Sequence, residues 1–154
     1  MRQPVQELIE RYQKNLYAAA FNICKNQMDA EDVVQETFVQ YYTIKKEFEN
    51  ERHIRAWLLR VAINKAKNLS MTFWKKHKCS LEDYMETLEF TDTHSRDLFE
   101  EVMKLPEKYR IVIHLFYYED YSIKEIAQSL EMPENTVKTN LKRGRQALKE
   151  FLEK

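Results

Sequence analysis

Residues that interrupt regular secondary structure are scarce in this sequence of 154 residues, which has one glycine and three prolines. A β-sandwich or β-barrel needs frequent tight turns, and glycine and proline form many of them. The composition therefore argues against a turn-rich β fold and predicts an all-α protein. Hydrophobic residues make up 44% of the chain, which is enough for packed helical cores.

The sequence is also poor in cysteine, with only Cys24 and Cys79, far apart in the chain. We expect both to be reduced, because cytosolic cysteines seldom form a disulfide. His77 and Cys79 are too few ligands for a zinc site, so we expect no metal and no other cofactor. The N-terminus lacks the pattern of a signal peptide, and no run of about 18 apolar residues could span a bilayer. A cytoplasmic protein without membrane insertion is therefore expected.

Neither sign of charge is in excess, since 25 basic residues balance 25 acidic ones. The charges are nevertheless unevenly distributed. Residues 51–79 contain eight Lys or Arg and one acidic residue, residues 80–104 contain two and eight, and residues 136–154 contain six and two. Two basic blocks thus flank an acidic one, which indicates two cationic surfaces that the neutral total conceals.

Residues 105–152 carry the most informative pattern, two helices joined by a tight turn. Ser122 and Glu125 have the spacing of a capping box, which predicts the start of a helix. Pro133 ends that helix and opens the next one, which should extend towards Leu152. The second helix has one apolar stripe, and its other side has cations and hydrogen-bonding groups: Lys138, Thr139, Lys142, Arg143, Gln146 and Lys149. A basic face alone is usually only solvated, but with the cap and the proline turn it favours a helix-turn-helix that binds DNA.

Three helices are predicted in the first half of the chain. The first extends from Val5 to about Cys24, and the second begins with Asp29 as its N-cap and ends near Lys45. A polar connection over residues 47–51 leads to a third helix that begins near Ile54. The second helix is expected to bury five apolar residues: Val33, Val34, Phe38, Tyr41 and Tyr42. Its opposite face, with Asp32, Gln35 and Glu36, would by itself be interpreted as solvated.

The third predicted helix combines aromatic residues with cations. Such a combination suits single-stranded DNA, because bases stack on rings while cations hold phosphates. For Trp57, which is in phase with the apolar stripe, a core position is favoured, whereas the role of Trp74 is left open. The predicted architecture is two small helical domains, residues 1–78 and 95–154, joined by an acidic linker over residues 79–94.

Five motifs in this order resemble a bacterial RNA polymerase sigma factor of the extracytoplasmic-function group. They are DAEDVVQETF at 29–38, RAWLLRVAIN at 55–64, LPEKYR at 105–110, YSIKEIA at 121–127 and TVKTNLKRGR at 136–145. The resemblance covers nearly the whole chain. It departs from the family at Asn68, where Asp is common, and at Glu131 in the turn, where Gly is common.

The resemblance implies a role for each domain. Residues 1–78 would be the region 2 domain, which binds core polymerase and the minus-ten promoter element, and residues 95–154 the region 4 domain, which binds the minus-thirty-five element. The polymerase partners would be the β′ clamp helices and the β flap. The linker would follow the RNA-exit path. An anti-sigma factor would control the protein, and no small-molecule substrate is expected.

The resemblance also implies site residues. The β′ contacts would be Asp32, Gln35 and Glu36. The minus-ten contacts would be Arg55, Arg60, Asn64 and Lys67, with the connection from Phe48 to His53 near a base flipped out of the duplex. The minus-thirty-five contacts would be Thr136, Lys138, Thr139, Lys142 and Arg143.

Two other classes of function fit the sequence less well. A stand-alone helix-turn-helix regulator would explain residues 105–152 but would leave the polar face of the second helix without a purpose. An enzyme acting on nucleic acid is disfavoured, because the sequence has no HExxH motif, P-loop or plausible metal-binding carboxylate cluster. No catalytic residue is therefore assigned.

Overall fold

Helices account for all the regular secondary structure in residues 1–73 and 93–152, the part of the chain that this computed structural model describes. The predicted all-α fold is confirmed. The chain separates into two units, residues 1–78 and 79–154. The proposed acidic linker, apart from residues 93 and 94, lies outside the described residues, as do Trp74, His77 and Cys79. No described helix is long and apolar enough to cross a membrane.

The first unit is built from α1 (Val5–Cys24), α2 (Gln27–Thr43) and α3 (Glu51–Phe73). The apolar spacing of α1 predicted its bounds, and Lys25 ends it in the left-handed conformation (φ 54°), donating its N–H to the Phe21 carbonyl. The core lies where the three helices meet. Its most deeply buried large side chains are Leu8, Leu16, Phe21, Tyr41, Ile54, Leu58, Leu59 and Ile63.

The start of α2 differs from the prediction. Asn26, rather than Asp29, is the N-cap, and its side-chain oxygen accepts a hydrogen bond of 3.0 Å from the Asp29 N–H. Asp29 therefore lies in the first turn, where its carboxylate suits the positive end of the helix dipole. The prediction that Tyr42 is buried is also wrong, since 69% of its surface is exposed.

The connection between α2 and α3, residues 44–50, is not simply polar. Phe48 is buried at its centre, packed among aromatic side chains of the two helices. At the start of α3, the Asn50 side chain accepts from the His53 N–H at 2.9 Å, and His53 Nδ1 accepts from the Glu49 N–H at 3.0 Å. These two bonds satisfy backbone donors at the point where the chain enters the helix.

The second unit contains α4 (Thr93–Met103), α5 (Glu107–Tyr117), α6 (Ile123–Leu130) and α7 (Glu134–Leu152). The buried Arg110 closes the connection between α4 and α5 by donating to the Leu105 carbonyl at 2.9 Å, and its burial lowers its pKa. Helices α5 and α7 come together at Gly144. A Cβ atom there would lie 2.9 Å from the Ile113 Cγ1 atom, so only glycine fits without a shift.

The predicted capping box of α6 is confirmed. The Glu125 N–H donates to Ser122 Oγ at 3.1 Å, and the Ser122 N–H donates to Glu125 Oε1 at 3.0 Å. Glu131 then adopts a left-handed conformation (φ 55°, ψ 50°) and ends the helix. Glycine adopts this conformation at a lower cost than a residue with a side chain, so Glu131 is less suited to the turn that it makes. Pro133 precedes the first residue of α7, as predicted.

Candidate nucleic-acid and protein interfaces

One exposed face of α2 carries the predicted polymerase-binding residues Asp32, Gln35 and Glu36. Spacings of three and four residues place them on one side of the helix. A carboxylate oxygen of Glu36 lies 3.8 Å from Lys65 Nζ of α3, and the Glu36 side chain remains 62% exposed. An exposed ion pair of this length contributes little stability, so it leaves Glu36 available to a partner.

An apolar groove borders this acidic face. It has a volume of about 440 Å³ and lies between α1 and α2. Gln35 belongs to both surfaces, and Val39 and Tyr42, which are 61% and 69% exposed, continue the groove along α2. The other lining residues are Val5, Ile9, Gln13, Val34 and Phe38. The sequence contained a signal for this groove, because α2 has more apolar residues than one buried stripe can hold.

The predicted minus-ten residues all lie on α3, but they do not share one face. Arg60, Asn64 and Lys67 follow one another at steps of four and three and form a single row. Arg55 is five residues before Arg60, which places it about 140° away around the helix. It is half-buried, on the side that carries the core residue Leu58. The structure thus brings three of the four residues together.

An aromatic cluster lies beneath the α2–α3 connection, beside this row. The Phe48 ring is stacked on Tyr41 at 5.8 Å and makes edge contacts with His53 at 5.0 Å and Trp57 at 5.8 Å. Trp57 also contacts Tyr41 at 6.2 Å. The core position favoured for Trp57 agrees with these contacts, although the residue is only half-buried.

The basic face of α7 is open to solvent. Its five predicted residues are all exposed: Thr136, Lys138, Thr139, Lys142 and Arg143. Thr139 lies on the side opposite the buried Val137 and Leu141, near the middle of the free face, and Lys142 and Arg143 lie on either side of it. The Thr139 hydroxyl donates to the Asn135 carbonyl at 3.0 Å, so its oxygen is left to accept from a partner.

Arg145 belongs to the same basic helix but has a different environment. Its Nε donates to the Tyr117 hydroxyl at 2.6 Å, and its guanidinium lies over the Phe116 and Tyr117 rings at 5.4 and 5.7 Å. Arg145 therefore joins α7 to α5. Among the described residues, no group of three or more His, Cys, Asp or Glu side chains could hold a metal ion.

Comparisons with known proteins identify both units. The chain matches the sigma-70 region 2 family over residues 8–78 and the sigma-70 region 4 family over residues 95–148. It is 32% identical to the RNA polymerase sigma factor SigV of Bacillus subtilis, covering 88% of this chain and 83% of that protein. It is 29% identical to the ECF RNA polymerase sigma factor SigW of the same organism, covering 95% and 87%.

Two solved structures are similar over almost the whole chain. One is CnrH in complex with the cytosolic domain of CnrY (TM-score 0.69, 26% identity, covering 97% of this chain and 87% of that one). The other, which shows the fold alone, is the sigma factor RpoE in complex with the anti-sigma factor NepR from Bartonella quintana (TM-score 0.74, 19% identity, covering 96% of each chain). With its region 2 and region 4 units and these relatives, the chain belongs to the extracytoplasmic-function group of RNA polymerase sigma factors.

Proposed function

We propose that this protein binds core RNA polymerase and directs it to promoters through two separate DNA contacts. The α7 face recognises the minus-thirty-five element as duplex, and the α3 row with the α2–α3 connection opens the minus-ten element and captures a base. The observation that carries the proposal is the α7 face, whose five predicted DNA-binding residues are all exposed on the second helix of a helix-turn-helix. The protein itself contributes no catalytic group, and it acts in the cytoplasm, where the polymerase is.

We place the main polymerase contact on α2. Asp32 and Glu36 supply negative charge, and the adjoining groove supplies apolar area that a polar face alone would lack. Well-packed apolar contacts surrounded by charge are typical of protein interfaces. A partner helix, such as one from the β′ clamp or from an anti-sigma factor, would fit such a groove, so the same surface would serve activation and inhibition. The β flap is proposed as a further contact of the second unit.

Two small DNA-binding units gain affinity when one polymerase holds both. Once the first unit is bound, the second contact becomes intramolecular and benefits from a high effective concentration. Residues 79–94, as a tether between the units, would make this possible. The proposal therefore predicts that the free protein binds isolated promoter duplex weakly, and that transcription by the holoenzyme depends strongly on the promoter sequence.

The proposal as a whole is tested by run-off transcription with core polymerase and a pooled library of promoter sequences. Start sites that require the protein and share two short motifs at fixed spacing are expected. If folded protein and active core polymerase give no new start sites, the proposed function is wrong.

The α2 contact is tested by reversing its charge. Asp32→Lys combined with Glu36→Lys should abolish capture of core polymerase without altering the helical circular dichroism spectrum. Glu10→Lys, a reversal at an exposed site on α1, is the matched control and should leave capture unchanged. Val39→Ser with Tyr42→Ser tests the groove separately, and wild-type capture in that variant would remove the groove from the interface.

The α7 contact is tested with Lys142→Ala and Arg143→Ala. Each should weaken binding of the upstream duplex. Each should also reduce the magnitude of the slope of log affinity against log salt concentration by about one, because one phosphate contact releases about one counterion. Lys104→Ala removes an exposed cation just after α4 that pairs with Glu101, and it should change neither quantity. Loss of polymerase capture in the two α7 variants would contradict the assignment of this face to DNA.

A further inference from the structure

The first three residues of the chain lie along the α2–α3 connection, and the Arg2 guanidinium makes three of their hydrogen bonds. Its Nη1 donates to the carbonyls of Ile44 at 2.8 Å and Lys46 at 3.0 Å, and its Nη2 donates to the Tyr41 carbonyl at 2.9 Å. The last carbonyls of a helix have no partner within the helix. One guanidinium thus caps the end of α2 and also fixes the residues that follow.

Four further contacts involve the same segment. The Phe48 N–H donates to the Met1 carbonyl at 3.1 Å. The Tyr41 hydroxyl donates to the Gln3 carbonyl at 2.7 Å and accepts from the Gln3 N–H at 3.1 Å. The Arg2 guanidinium also lies 4.4 Å from the centre of the Tyr41 ring. Residues 1–3 therefore bond to Tyr41 near the end of α2 and, within the connection, to Ile44, Lys46, Glu47 and Phe48.

Without these contacts little would determine the shape of the first half of the connection. Residues 44–50 lie between two helices, and they make helical hydrogen bonds only at their two ends, where the Ile44 N–H donates to the Gln40 carbonyl and the Asn50 carbonyl accepts from the Ile54 N–H. Asn50 and His53 order the end next to α3, and the aromatic cluster holds Phe48 from below. The end next to α2 is ordered by Arg2. A binding loop recognises its ligand well only when the surrounding structure holds it in one conformation.

We propose that Arg2 is a positioning residue for minus-ten recognition. It holds residues 44–50 in the conformation that receives the flipped base, and it does so without touching DNA. The inference rests on the proposed function, which places that base at this connection. Lysine would replace Arg2 poorly, since a single ammonium does not have the planar array of donors that contacts three carbonyls at once.

The test compares Arg2→Ala and Arg2→Lys with wild type in the full chain. Lys14→Ala is the matched control, because it removes an exposed cation of α1 outside the connection. The first measurement is hydrogen exchange of the Phe48 amide in the free protein, which reports the connection without polymerase or DNA. The second is transcription by the holoenzyme from promoters that differ only at the captured base.

Arg2→Ala should accelerate Phe48 exchange roughly ten-fold and lower discrimination between those promoters by about the same factor, a modest value for charged hydrogen bonds that are partly exposed. Arg2→Lys should change the Phe48 exchange rate and the promoter discrimination in the same direction but by less, and Lys14→Ala should match wild type in both measurements. Capture of core polymerase and binding of upstream duplex should be unchanged in all three variants.

Three results would overturn the inference: unchanged Phe48 exchange in Arg2→Ala, unchanged discrimination, or a loss of activity that is equal on every promoter. The last would mean that Arg2 supports the fold in general. Failure of the proposed function is recognised independently, because wild-type protein would then give no promoter-specific start sites at all.

Discussion

The buried imidazole of His114 should make the stability of the second unit depend on pH. His114 lies on α5 with 4% of its surface exposed, and its ring stacks on Tyr118 with 5.4 Å between ring centres. Its Nε2 atom has no hydrogen-bond partner among the described residues. Burial lowers the pKa of His114 from 6.5 to about 4, because the charged imidazolium loses its hydration there.

The sign and size of the effect follow from linkage. Between pH 6.5 and pH 4 the unfolded chain binds a proton at this residue and the folded chain does not, so acid favours unfolding. The free energy of unfolding has its full value above about pH 6.5 and decreases as the pH falls towards 4. A pKa difference of about 2.5 units corresponds to about 3 kcal/mol, of which about 2 kcal/mol should be lost between pH 7 and pH 5.

The assay is urea unfolding at these two pH values, followed through the NMR signals of α5 and α7. His114→Phe keeps an aromatic ring but cannot titrate, so it serves as the comparison. Other titrating groups act on both proteins, and the difference between the two pH dependences therefore isolates His114. An equal loss of stability in wild type and His114→Phe would refute the reasoning.

Three further predictions concern the helix-turn-helix, each measured by the free energy of unfolding in urea. Ser122→Ala removes half of the capping box and should cost about 1 kcal/mol, and a value near zero would mean that solvent replaces the cap. Glu131→Gly should raise the free energy of unfolding by roughly 0.5 kcal/mol. It removes the cost of a left-handed backbone at a residue with a side chain, but it also increases the conformational entropy of the unfolded chain. A decrease would contradict this prediction. Gly144→Ala should lower stability by about 1 kcal/mol, because crowding against buried Ile113 outweighs the gain in helix propensity; a rise would show that Ile113 moves freely.

Local patterns predicted the features that depend on neighbouring residues. Both bonds of the Ser122 capping box join residues three positions apart, so the sequence alone contains all of their geometry. The same holds for the bounds of α1, which one apolar stripe defines, and for the exposed basic face of α7. The assignment to the sigma family rested on motifs of this local kind and is confirmed.

Features that depend on distant residues could not be predicted in this way. The choice between Asn26 and Asp29 as the cap of α2 depends on where α1 ends, because both residues are good caps. Tyr42 was predicted to be buried because it extends an apolar pattern, yet it is 69% exposed and lines the open groove between α1 and α2. The contacts of Arg2 join residues about 40 positions apart, and no local signal in the sequence indicates them.

The location of the single glycine shows whether a left-handed backbone or close helix packing constrains this fold more strongly. In the described residues three positions adopt a left-handed backbone, and they are occupied by Lys25, Asp120 and Glu131. Each costs of order 1 kcal/mol relative to glycine, and the fold tolerates that cost at the end of a helix or in a turn. At Gly144, by contrast, a Cβ atom would lie 2.9 Å from the Cγ1 atom of buried Ile113 on α5, so a side chain there would crowd the contact between α5 and α7. In this chain, therefore, glycine is required where helices must pack closely, and the turns are made without it.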